Sequence, residues 1–174
     1  MCNGLEEQKE PENYGTTKYA KKQPRAGYSS IFPLEEWAYN IFKKGESIYF
    51  GAFSSCIGLV ALHNRKAVAI HMALYTVKDE FVETPMVAKD IINILNSYDI
   101  KSPKKLEHVL LFGFIDCWND GEGMTILEPI RSLFTDKLKV KQLKSDGDYT
   151  VSTKNNQLEV IGPGYRKSRR RNTL

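Results

Sequence analysis

Apolar residues along this chain come in short blocks broken by polar punctuation, and the spacing inside each block predicts its element. Ser47–Phe53 (SIYFGAF) and Ile57–Leu62 (IGLVAL) read as strands. His63-Asn64-Arg65-Lys66 reads as the turn into a third strand, Ala67–Leu74. Upstream, in FPLEEWAYNIFKK, residues Leu34, Trp37, Ala38, Ile41 and Phe42 fall on one helical stripe, closed by lysines and stopped by Gly45, which predicts a helix. Thr84-Pro85 predicts a helix start, with Thr84 as N-cap, Pro85 at the first helical position, and Met86, Val87, Ile91, Ile94, Leu95 and Tyr98 as the buried face. A strand (EHVLLFGF), a loop (IDCWNDGEG) and a helix around Ile126–Phe134 follow. Strands near Leu138–Leu143, Tyr149–Thr153 and Leu158–Ile161 close the chain, the last two joined through Lys154-Asn155-Asn156. This order predicts an α/β (α+β) sandwich of mixed or antiparallel sheets with helices packed on the outside. Ala52, Gly58, Ala61, Ala67 and Ala69 imply closely packed sheets, and no segment repeats.

At 174 residues and 41% hydrophobic, the chain suits one domain with a sizeable core. Residues 1–30 are polar and aperiodic and read as a flexible arm, residues 31–161 as a single α/β domain, and residues 162–174 as a basic tail. Charge sharpens that division. The net charge is +4, yet the tail alone carries Arg166, Lys167, Arg169, Arg170 and Arg171 without an acid. The body is therefore nearly neutral, and any attraction to nucleic acid or an acidic surface belongs to the tail. The core carries no RNA-binding aromatic motif that would strengthen the nucleic-acid option.

No apolar run is long enough to span a bilayer, and MCNGLEEQKE offers neither a basic nor an apolar secretory region. The expectation is a cytoplasmic protein, or one delivered into a host cell by a machine that reads no such signal. Cys2, Cys56 and Cys117 lack disulfide-framework or zinc spacing, so a reducing compartment and no metal are expected. Gly121 and Gly123 are not followed by the Lys-Ser/Thr of a phosphate loop, and DCWNDGEG lacks the alternating ligands of a calcium loop. No cofactor is expected. Asp116, Asp120 and Glu122 instead form a solvated loop, with Asp116 a candidate third polar partner for a nearby site.

Two residues carry candidate chemistry. Cys56 follows Phe53-Ser54-Ser55 at a strand break, where a side chain can be exposed and backbone N–H groups freed to hold an oxyanion. His71 lies on the following strand, and folding the pair about the 63–66 turn brings residue 56 opposite residue 72 or its neighbour. An imidazole beside a thiol can take its proton and leave a nucleophilic thiolate. The same residues also suit a plain core, because cysteine is among the most buried residue types and a lone histidine in AVAIHMAL suits a hydrogen-bonded interior. Spacing alone leaves both readings open.

The FSSC element, with His71 fifteen residues on, resembles the Ser-x-Cys and histidine elements of cysteine-dependent glutamine deamidases. These are the cytotoxic necrotizing factor toxins and the chemoreceptor glutamine deamidases. AIHMAL, the helix 84–98 and LFGF are similar in order to the chemoreceptor enzymes' following elements. The resemblance implies a Cys56 nucleophile, a His71 base, and an oxyanion held by the Cys56 N–H with help from Ser54. It implies conversion of a partner protein's glutamine to glutamate through a thioester, with transglutamination as a side activity. Partners would be a host signalling protein such as a small GTPase, or a chemoreceptor, and the protein would act as a toxin or effector. Ser55 stands where the toxins have glycine, and Phe50 where the chemoreceptor enzymes have a catalytic threonine. The toxins orient their histidine with a backbone carbonyl, which this chain would also need. The alternatives are an inactive protein-binding module of the same fold and a basic-tailed adaptor.

Overall fold

The computed structural model describes residues 17–23, 33–76, 78–119 and 127–164. Strands β1 (Lys21–Lys22), β2 (Ala38–Lys43), β3 (Ser47–Phe53), β4 (Ile57–His63) and β5 (Lys66–Met72) come first. Helix α1 (Thr84–Ser97), β6 (His108–Gly113), and helices α2 (Ile115–Asn119) and α3 (Leu127–Phe134) follow, then β7 (Leu138–Gln142), β8 (Gly147–Ser152) and β9 (Glu159–Gly164). A six-stranded mixed sheet runs β1-β2-β5-β4-β6-β7, and a three-stranded antiparallel sheet runs β3-β8-β9. The fold is the expected α+β sandwich.

Period-two alternation divides the core between two layers. On β4, Ile57, Leu59 and Ala61 pack with Val87, Ile91 and Ile94 of α1 and Ile130 and Phe134 of α3. Cys56, Val60 and Leu62 face the other way, into a layer closed by Ile48, Phe50 and Phe53 of β3 and Tyr149 and Val151 of β8. The helices thus cover one face of the large sheet and the small sheet covers the other. Among the described residues no helix is long and apolar enough to cross a membrane.

The β4–β5 hairpin turns at Asn64 and Arg65, with Asn64 at φ +53° and His63 paired to Lys66. Asparagine tolerates that left-handed conformation, which a two-residue hairpin turn requires. The register pairs Gly58 with His71 and Ile57 with Met72, one residue from the sequence expectation.

Three expectations are corrected. The stretch 33–44 is not a helix: Leu34 makes an isolated bridge to Phe50, and Ala38–Lys43 forms β2 against β5. Tyr39 and Ile41 pack toward the helices while Ala38 and Phe42 pack toward the small sheet. A strand between two apolar layers uses both faces, so its residues also satisfied a helical stripe, and sheet pairing decided the outcome. At α1, the N-cap is Glu83, which moves Thr84 and Pro85 one position into the helix. Within the expected loop, Ile115–Asn119 forms α2, with Ile115 and Trp118 buried.

The outer segments also differ from expectation. Inside the expected arm, Asp90 of α1 accepts backbone N–H bonds from Lys18 (2.6 Å), Tyr19 (2.8 Å) and Ala20 (3.2 Å). A buried carboxylate needs such donors, and here they pin the chain that leads into β1. Strand β9 runs to Gly164, so the first residues assigned to the tail belong to the sheet. The rest of the arm and of the tail lie outside the described residues.

Candidate functional site

Cys56 and His71 share the face of the large sheet that looks toward the small sheet. His71 sits directly across from Gly58 on β4 and from Ala38 on β2. Gly58 also pairs with Phe112 on β6. A Cβ on Gly58 would lie 2.5 Å from the Phe112 ring and 3.2 Å from that of Phe50. The missing side chain leaves room for a histidine and a phenylalanine on either side. Cys56 immediately precedes β4, two residues before Gly58, and so is a diagonal neighbour of His71, a relation that spans about 7–8 Å in a regular sheet.

His71 is wholly buried. Its ring stacks on Phe53 at 4.5 Å between centroids and 7° between planes, and meets Phe50 edge-on at 5.8 Å. Nδ1 lies 2.8 Å from the Leu34 carbonyl oxygen. A carbonyl only accepts, so Nδ1 carries the proton and donates, and in the neutral ring Nε2 holds a lone pair. Nε2 is buried and has no hydrogen-bond partner among the described residues. Burial lowers the imidazole pKa, while the Leu34 bond and the Glu36 charge oppose that shift. The result is a neutral, oriented imidazole with a bare acceptor nitrogen.

Cys56 is 1% exposed. Its Sγ donates to Glu36 Oε1 at 3.2 Å. Burial, followed by the Glu36 hydrogen bond and charge, pushes the thiol up from 9.0 to about 12, against the backbone N–H groups of Ser54 and Ser55, which favour the thiolate. In this arrangement the sulfur is a protonated thiol bonded to a carboxylate, and it makes no hydrogen bond to His71.

The backbone around Cys56 is fixed from the β6–α2 junction. Phe114 N–H donates to the Cys56 carbonyl (3.0 Å) and Trp118 Nε1–H to that of Ser55 (2.8 Å). Gly113, at φ +141°, permits this approach, since a Cβ there would lie 2.3 Å from the Cys56 carbonyl oxygen. LFGF and Trp118 therefore belong to the site's frame, which the sequence signalled only as a strand end.

The other candidates are placed as follows. Ser54 is exposed at the bend between β3 and β4, contributing its backbone N–H toward the sulfur. Asp116 is exposed at the start of α2, and its backbone N–H donates to Gln142 Oε1. Asp120 and Glu122 lie outside the described residues. The group that orients His71 is the Leu34 carbonyl, and the group touching Cys56 is Glu36, both from the stretch expected to be helical. No residue type advertises a carbonyl, and a helical reading of 33–44 turns Glu36 toward solvent. Among the described residues no three His, Cys, Asp or Glu side chains gather to hold a metal ion.

No family model and no curated protein matches the chain. Among solved structures it is similar to the C-terminal domain of CNFy from Yersinia pseudotuberculosis, at 12% identity and a TM-score of 0.37. The match covers 66% of this chain and 45% of that one, so the chain spans less than half the length of that domain.

Proposed function

We propose that the protein is a cysteine-dependent glutamine deamidase in which Cys56 is the nucleophile and His71 the base. One observation carries this reading: His71 Nδ1 is tied to the Leu34 carbonyl while its buried Nε2 is left with a free lone pair, on the sheet face it shares with Cys56. In the reaction, Nε2 takes the Cys56 proton and the sulfur attacks the side-chain carbonyl carbon of a glutamine. The oxyanion falls to the backbone N–H groups at the strand break. As the C–N bond breaks, the imidazolium returns the proton to the departing ammonia and a thioester remains. His71 then draws a proton from water, whose oxygen bonds to the thioester carbon. The C–S bond breaks, freeing the thiol and a glutamate side chain. A primary amine in place of water gives transglutamination. The substrate is a glutamine on a partner protein, a host signalling protein or a chemoreceptor being the classes implied by the sequence resemblance.

The test is mass spectrometry of glutamine-bearing proteins incubated with wild type, Cys56→Ser and His71→Ala, alongside an ammonia assay. A gain of about one dalton at a glutamine, the amide-to-acid exchange of thioester hydrolysis, is expected with wild type alone. Equal conversion by Cys56→Ser would remove Cys56 as the nucleophile. The burial of both residues favours a second reading, a binding module in which they are core. That reading expects partner capture by wild type and Cys56→Ser alike, with no mass change.

A further inference from the structure

The stretch Pro33–Trp37 crosses the site as a strap. Leu34 N–H donates to the Tyr49 carbonyl and Gly51 N–H to the Leu34 carbonyl. Trp37 Nε1–H donates to the Tyr75 carbonyl at 2.9 Å. Glu35 N–H donates to Gln23 Oε1. Between these ties, Glu36 is exposed along its length but sends its carboxyl group to the buried sulfur. Glu36 is thus the exposed side chain of the strap that reaches Cys56, whereas Leu34 beside it is buried and holds His71 Nδ1.

Glutamate and glutamine have the same shape, and glutamate is the side chain that hydrolysis of a glutamine thioester leaves behind. With Oε1 3.2 Å from Sγ and accepting its hydrogen bond, the carboxyl group of Glu36 lies directly against the nucleophile. The main chain that delivers it lies beside β3 through the parallel Leu34–Phe50 bridge. We infer that Glu36 is an internal product mimic: its carboxyl group occupies the position of a substrate side chain, and the enzyme rests closed until a glutamine side chain of a partner protein displaces that carboxyl group from Cys56, while Leu34 stays in place on His71. This rests on the deamidase reading above and adds to it a regulatory element, the Glu36 carboxyl group that a substrate glutamine has to replace.

Two measurements test it separately. Alkylation of Cys56 by iodoacetamide, read by peptide mass spectrometry with exposed Cys117 as internal reference, reports on the cap alone. Glu36→Ala should raise the Cys56 rate by about tenfold or more, because thiolate fraction and access both increase, while Glu35→Gln leaves it unchanged. The variant Glu36→Gln reports on the chemistry, since it delivers a glutamine to the nucleophile. Residue 36 should then gain about one dalton with time, and the double variant with Cys56→Ser should not. An unchanged alkylation rate in Glu36→Ala overturns the product-mimic strap, whatever happens to the amide. A raised rate, with the amide of Glu36→Gln stable over time, leaves the strap a cap and overturns the deamidase reading instead.

Discussion

The closed site makes a prediction about stability at alkaline pH, where Cys56→Ala is the informative perturbation. In the folded protein the thiol holds its proton to about pH 12, whereas in the unfolded chain it releases it near 9.0. Between those values the unfolded state binds fewer protons, so stability falls as pH rises. The contribution is fully present below pH 9 and gone above pH 12. Linkage gives a loss of about 1.4 kcal/mol by pH 10 and about 2.7 kcal/mol by pH 11. Urea titrations of wild type and Cys56→Ala, under reducing conditions at pH 7.5, 10 and 11, read this as a difference of differences. The packing cost of the substitution is common to every pH and subtracts out. Burial also raises Tyr39, Tyr98 and Tyr149, but those groups are present in both proteins. With a urea slope of about 1–3 kcal/mol/M, the pH 10 effect is a relative midpoint shift of roughly 0.5–1.4 M. Parallel loss in the two proteins would mean that the folded thiol titrates like an unfolded one. A wild type that loses less than Cys56→Ala would mean a thiolate in the folded state, and the closed Glu36–Cys56 arrangement would be refuted.

Three further outcomes are expected. Burial lowers the His71 pKa, so its contribution is present above about pH 6.5 and lost as pH falls through the folded value; His71→Gln should flatten the acid limb of stability just below pH 6.5, by up to about 1.4 kcal/mol per pH unit. Gly58→Ala should cost about 1–3 kcal/mol in urea titration through overpacking against Phe112 and Phe50, and a neutral result would show that the two rings move aside freely. Asp90→Ala removes all three acceptor contacts, so it should cost at least the roughly 1.5–3 kcal/mol of one hydrogen bond to a charged group, and should speed hydrogen exchange at the amides of Lys18, Tyr19 and Ala20. Unchanged exchange there would remove Asp90 as the clasp of that segment.

The parts of this fold that were legible in the sequence are those where one local rule acts alone. Ser47–Phe53, Ile57–Leu62 and the 63–66 turn could be read because alternation, apolar runs and an Asn-containing turn all point the same way. The hairpin arithmetic then placed Cys56 and His71 on neighbouring strands to within one residue of the observed register. Residues 38–43 misled because a strand buried on both faces has no single polar side, and its apolar positions fit a helical stripe equally well. That one error hid both groups that complete the site. The Leu34 carbonyl carries no side-chain signature, and the position of Glu36 over Cys56 exists only once Pro33–Trp37 crosses the sheet edge. A site assembled from backbone atoms and long-range strand pairing is written in the tertiary contacts.

The energetics of His71 bear on why such a pair is kept at all. A residue chosen for packing at position 71 would be served well by phenylalanine, which could stack on Phe53 and meet Phe50 edge-on without burying a polar atom. The imidazole instead satisfies one nitrogen through Leu34 and leaves the other buried without a partner among the described residues, a cost of about 1–3 kcal/mol. Asn40 and Thr153, also buried polar residues, place their side chains against partners. His71 departs from that pattern at the one nitrogen that would receive a proton from Cys56. In the proposed reaction Nε2 takes up the Cys56 proton, which requires that Glu36 first leave the thiol. Withdrawal of Glu36 removes the carboxyl group that, after burial, holds the thiol protonated. That change favours transfer of the thiol proton to His71, which is the first step of the proposed reaction.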